Sequence, residues 1–138
     1  MKVRDRTDYI IIHCSATKAD MDIDAQTIRN WHVNENGWAD IGYNWVIKRD
    51  GTIEQGRGDN MIGAHARGYN DKSIGICLVG GIGANGKAES NFTFAQYEAL
   101  SALLAEMKQA YPQAKIIGHC DVANKACPSF DVKALVGA

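Results

Sequence analysis

Two histidines and a cysteine stand where folding could bring them together. His13 closes the apolar run "YIIIH", His119 closes "KIIGH", and Cys127 follows His119 by eight positions in "KACPSFD". Strand ends beside loops are where α/β sheets place functional groups. Two imidazoles and a thiolate form a donor set for one Zn²⁺ with a fourth position open to water. Catalytic zinc sites have that form, and there the metal lowers the pKa of its water towards ~7. Spacing alone leaves Cys127 three roles: a buried thiol, half of a disulfide, or a metal ligand. No finger spacing and no HExxH helix narrows the choice. By the same pattern, His13 and His119 could be ordinary packed or exposed histidines.

The elements that would position these residues are legible. The run 8–13, "DYIIIH", reads as an interior strand, and so do 73–81, "SIGICLVGG", and 114–119, "AKIIGH". Residues 22–36 carry apolar side chains at Ile28, Trp31 and Val33, which predicts a helix capped by Asp24 and stopped near Gly37. Residues 41–57 predict a hairpin with Asp50-Gly51 at its turn, in which alternation would put Tyr43 on one face with Trp45 and Ile47. Thr93 can cap a long helix whose apolar stripe runs Phe94, Tyr97, Leu100, Leu104, Met107, Tyr111, ended by Pro112. "FDVKALV" predicts a short closing helix. Strands alternating with helices, a hairpin among them, imply an α/β fold: a single domain, 1–138, with a mixed central β-sheet flanked by helices on both faces.

Bulk properties exclude several function classes. The 138 residues suffice for one domain with one core. A net charge of −1, with 15 basic and 16 acidic residues, argues against nucleic acid as the main partner. No apolar run approaches the ~18 residues of a membrane span, so no membrane insertion is expected. "MKVRDRTDYIIIH" has no signal-peptide pattern, so synthesis in the cytoplasm is expected. A target outside the cell would then be reached by release or export. That setting is poor ground for disulfides among Cys14, Cys77, Cys120 and Cys127. Cys77 falls within an apolar strand and reads as core. Alternation turns Cys14 and Cys120 away from the faces of their neighbouring histidines, so both read as packed thiols.

Four blocks, "IIIHCSATK", "IGYNWVIKRDGTIE", "GAHARGYNDKSIGICLVGG" and "KACPSFD", occur in order and with similar gaps from about residue 8 to 131. Together they resemble the zinc-dependent N-acetylmuramoyl-L-alanine amidases, the family that includes the peptidoglycan recognition proteins, and most resemble the short lysozyme-amidases of T-seven group phages. The resemblance implies that His13, His119 and Cys127 bind one Zn²⁺ and that Tyr43 and Lys125 are catalytic. The implied substrate is peptidoglycan, cut at the amide between the lactyl group of N-acetylmuramic acid and L-alanine of the stem peptide. The implied setting is the cell wall, reached as a phage or prophage endolysin or as an exported antibacterial effector. The chain departs from the phage members at Cys120, where they carry a second His.

Other polar residues have two readings each. His65, in the Gly-rich segment that borders the family's substrate groove, is either a substrate contact or plain loop structure. Arg67 and Asn70 share that segment and could bind stem-peptide carboxylates. His32 reads as a packing or end-of-helix residue. Tyr43 could be only a packing residue of the hairpin. Many peptidoglycan recognition proteins keep the fold, lose the ligand Cys and merely hold muropeptide. Cys127 is the feature that separates an enzyme from such a binding module. The short chain suggests a monomer.

Overall fold

Three consecutive isoleucines leave "YIIIH" no wet face, and the run folds as an interior strand. The computed structural model describes residues 1–133. Its elements are β1 (Tyr9–Cys14), β2 (Thr17–Lys18), α1 (Ala25–Asn34), β3 (Trp45–Ile47), β4 (Ile53–Gln55), β5 (Ser73–Leu78), β6 (Gly81–Ile82), α2 (Phe94–Ala110) and β7 (Lys115–Gly118). The main sheet has the order β4-β3-β5-β1-β7. Its pairings are parallel except for the β3–β4 hairpin, so the sheet is mixed. β2 and β6 form a separate parallel pair beyond the ends of β1 and β5.

α1 and α2 cover opposite faces of the sheet. Ile10 and Ile12 of β1, Ile74, Ile76 and Leu78 of β5, and Ile47 of β3 pack against Leu100, Leu103, Leu104 and Met107 of α2. On the opposite face Val46 and Cys77 pack with Ile28 of α1, and Trp31 and Tyr43 lean on that cluster. α1 starts at Asp24, whose carboxylate accepts from the Thr27 N–H. α2 starts with a capping box, Thr93 accepting from the Gln96 N–H while the Gln96 side chain accepts from the Thr93 N–H. Both helices, both caps and the Asp50-Gly51 turn fall where the sequence places them. The closing helix expected from "FDVKALV" extends into 134–138, outside the described residues.

Three expectations are corrected. Phe94 is not core: it is 79% exposed. The buried stripe of α2 is Gln96, Leu100, Leu103, Leu104 and Met107, centred roughly 140° around the helix from Phe94 at 100° per residue. Buried Gln96 earns that place by donating to the carbonyls of Ile47 and Val79, which ties the helix to two strand ends. Tyr43 does not share the face of Trp45 and Ile47. It lies with Val46 on the α1 side, because the chain bends at Asn44 before the strand begins. Cys120 is not a packed thiol. It is exposed, in the short 3-10 turn His119–Asp121 that follows β7 rather than in the strand.

The bend at Asn44 has a specific cause. Asn44 is 0% exposed, and its Oδ1 accepts from the Gly75 N–H at 2.9 Å while Nδ2 donates to the carbonyls of Gly58 and Met61 at 3.0 and 3.1 Å. One side chain thus satisfies three backbone groups, two in the loop after β4 and one in β5. Asn44→Ala leaves the Gly75 N–H unpaired, while the Gly58 carbonyl keeps the Met61 N–H and the Met61 carbonyl keeps the Arg4 guanidinium. Urea denaturation should show a loss of about 1–3 kcal/mol, the cost of one unsatisfied buried group, and no loss would mean that water replaces the amide.

Candidate metal centre and active site

β1 and β7 are neighbours, with Ile12 opposite Gly118. The residue after Ile12 in β1 and the residue that follows the end of β7 are therefore histidines side by side. The rings of His13 and His119 lie 4.5 Å apart between centroids. The segment after the His119 turn folds back on it: the Cys120 N–H donates to the Cys127 carbonyl at 2.7 Å. Ser129 clamps the far side, donating from Oγ to the Gly81 carbonyl at 3.2 Å. This return brings Cys127 Sγ to 3.9 Å from His13 Nδ1, where it also accepts the Cys14 N–H at 3.1 Å.

The donor atoms of His13, His119 and Cys127 all lie within 4.8 Å of one another. A tetrahedral Zn²⁺ with N and S ligands wants about 3.3–3.5 Å between donors, so the widest pair must draw in by about 1 Å. Two neutral imidazoles and one thiol facing a common point fit zinc chemistry, and the four cysteines are free of disulfides.

The surroundings keep each group uncharged by itself. Burial holds His13 well below the ordinary histidine value, helped by the nearby His65, His119 and Lys125. Burial lowers His119 too, with Lys125 adding to it. Cys127 is raised, first by its hydrogen bond with Cys14 and then by burial. Burial also lifts Tyr43 well above the phenol range, with Cys77, Cys127 and Cys14 adding to it. Tyr43 is therefore a hydrogen-bond donor at neutral pH, not a base. A dication would reverse the thiol's balance by stabilising the thiolate.

These groups open into a cleft of about 500 Å³. Tyr43 stands over the metal donors, its ring 5.1 Å from that of His13. Exposed Lys125 and Arg67 line the same cleft, with Trp38 and His32 on its wall. All eight residues singled out from the sequence thus converge on one place. Two of them, Asn70 and His65, are tied inward, and so is His32. His32, in the last turn of α1, accepts the Gly42 N–H at 2.9 Å and packs tilted against Trp38, the ring centroids 4.7 Å apart. Asn70 Oδ1 accepts the N–H groups of His65 and Ala66. His65, 8% exposed, lies behind His13 with Nδ1 2.8 Å from its Nε2. Sequence reasoning did not find Trp38 or the His13–His65 contact. The only signal for the contact was the pair of glycines, Gly63 and Gly75, that make room for the His65 ring.

A cleft at the carboxyl ends of the strands is where α/β sheets place their sites, and comparison with known proteins gives the class and the family. The chain belongs to the N-acetylmuramoyl-L-alanine amidase family, whose model matches residues 3–130. It is 55% identical over 130 residues to the endolysin of Klebsiella phage KP32, covering 94% of this chain and 85% of that one. It is 52% identical over 132 residues to the endolysin of Escherichia phage T7, covering 96% and 87%. Among solved structures, wild-type Drosophila PGRP-LB superposes with a TM-score of 0.83 at 32% identity, covering 99% of this chain and 84% of that one. The protein is an amidase of this family. No helix among the described residues is long and apolar enough to cross a membrane.

Neutral buried histidines make stability depend on pH. His65 is lowered to about 3, chiefly by burial, and His13 is lowered as well. The unfolded chain, with histidines near ~6.5, then binds more protons than the folded one. Their contribution is full above about pH 6.5 and is lost as pH falls, at up to about 1.4 kcal/mol per unit for each group. Metal-free protein should lose denaturation midpoint steadily from about pH 7 to about pH 4, and His65→Phe should flatten that slope.

Proposed function

We propose that residues 1–138 act as one zinc amidase domain that cuts peptidoglycan between the lactyl group of N-acetylmuramic acid and L-alanine of the stem peptide. The observation that carries this reading is the convergence of His13, His119 and Cys127 under Tyr43 and Lys125 in one cleft. The three ligands would hold one Zn²⁺, which supplies a Lewis acid and a water acidic enough to be a nucleophile at neutral pH.

The chain's own groups supply the rest. Hydrolysis adds water across the amide, breaks the C–N bond and sends a proton to the departing amine. Negative charge develops on the carbonyl oxygen. The Tyr43 hydroxyl and the Lys125 side chain line the same cleft and are the donors we assign to it, and donors of this kind are typically worth ~3–4 kcal/mol each. Lys125 carries protons it can pass to the amine. Arg67, a cation on the cleft wall, is suited to a stem-peptide carboxylate. Asn70 keeps only its amide N–H₂ for that purpose, since its oxygen is held by the loop. The endolysin relatives support action on the cell wall as a phage or prophage endolysin. The same chemistry would serve an exported effector. We read the working form as a monomer.

The test is a digest of purified peptidoglycan, with and without a chelator, read by mass spectrometry. Free stem peptides with a new L-alanine amino terminus are expected, abolished by chelation and restored by Zn²⁺. Intact glycopeptide retained on the protein would make it a binding module instead. Cys127→Ala should lose zinc and activity together. Tyr43→Phe and Lys125→Ala should keep zinc and lose about 10²–10³ in kcat, and an unchanged kcat in either would remove that residue from the transition state.

A further inference from the structure

We propose that His65 is a positioning residue for the metal site: with Ser73 behind it, it fixes the tautomer and orientation of His13 so that His13 presents a bare Nδ1 to the metal. This rests on the zinc reading above.

The order of hydrogen bonds sets the direction of the chain. The Ser73 hydroxyl has a single proton, and it is committed to the Tyr69 carbonyl at 2.7 Å. Towards His65 Nε2, 3.4 Å away, Ser73 can therefore only accept, so Nε2 carries the hydrogen. Both rings are buried, where an imidazolium is disfavoured, so each ring has one N–H. His65 Nδ1 is then bare and accepts from His13 Nε2 at 2.8 Å. His13 is left with a bare Nδ1, and that is the atom 3.9 Å from Cys127 Sγ. A flip of either ring or tautomer would break one link.

The fold holds His65 on every side. A Cβ on Gly75 would come within 2.6 Å of the His65 ring, and one on Gly63 would do the same. One loop and one strand position are thus kept free of side chains so that this ring can stand edge to face behind His13, the two planes 89° apart. Asn70 Oδ1 accepts the His65 backbone N–H at 2.8 Å and pins its main chain. Both ring nitrogens are used, so neither is available to a substrate. An imidazole ligand whose second nitrogen donates to a fixed acceptor gains basicity and loses rotational freedom, and removing such a partner typically weakens metal binding about 10–100-fold.

The test uses the metal-free full chain as wild type, His65→Phe and Ser73→Ala. Imidazole proton–nitrogen NMR correlations report the His13 tautomer, and titration against a competing chelator gives Zn²⁺ affinity. Wild-type His13 should be protonated at Nε2. His65→Phe should bind Zn²⁺ about 10–100-fold more weakly and shift the visible spectrum of the Co²⁺ form. Ser73→Ala should move both readouts the same way by less, and it decides the matter if His65→Phe does not fold. A wild-type His13 protonated at Nδ1, or full affinity with an unchanged Co²⁺ spectrum in the deciding variant, overturns the proposal and leaves the zinc site standing. Wild type that binds no Zn²⁺, or Cys127→Ala that binds it equally well, overturns the zinc site and the proposal with it.

Discussion

The register between β1 and β7 is the constraint on which the site depends. Because Ile12 lies opposite Gly118, His13 and His119 leave the sheet side by side. A slip of one residue would turn His13 onto the face covered by α2, among leucines, and separate it from His119. Burial enforces the register. Ile10, Ile11 and Ile12 are all 0% exposed, and their alternation is matched to cores of different composition on the two faces. The apolar run that makes the strand also aims His13, the first of the proposed ligands.

Around that pair the protein places polar groups in a dry setting and gives each a defined partner. No buried side-chain nitrogen or oxygen among the described residues is left without a hydrogen bond. The imidazoles are kept neutral, the phenol of Tyr43 is kept protonated, and the Cys127 thiol is raised. Such a site disfavours isolated charge and so favours a cation that brings its own compensation through a thiolate. The same low-dielectric setting would strengthen the hydrogen bond proposed from the buried Tyr43 hydroxyl to a developing oxyanion. Fold stability and proposed chemistry thus draw on the same desolvation.

Much of this was legible in the sequence because it rests on local rules. Three β-branched runs, an N-cap at Asp24, a capping box at Thr93 and an Asp-Gly turn give strands, helices and hairpin without tertiary information. The histidines were legible because they close apolar runs. Other features were hidden because they depend on non-local partners. Tyr43 changed face because Asn44, bonded to Gly58, Met61 and Gly75, bends the chain ahead of β3. Phe94 looked apolar enough for the core, yet Gln96 took the inner position through two strand-end carbonyls. The partnership of His65 with His13 spans 52 residues and was marked only by two glycines, Gly63 in a loop and Gly75 within a strand, whose common neighbour the sequence does not name.

X-ray absorption at the zinc edge of the purified, zinc-loaded protein would examine the ligand set itself. One sulfur near ~2.3 Å and two imidazole nitrogens near ~2.0 Å, with a light atom completing four-coordination, is the shell expected of His13, His119 and Cys127. A shell of nitrogen and oxygen alone, with no sulfur, would exclude Cys127 as a ligand and with it the metal centre described here.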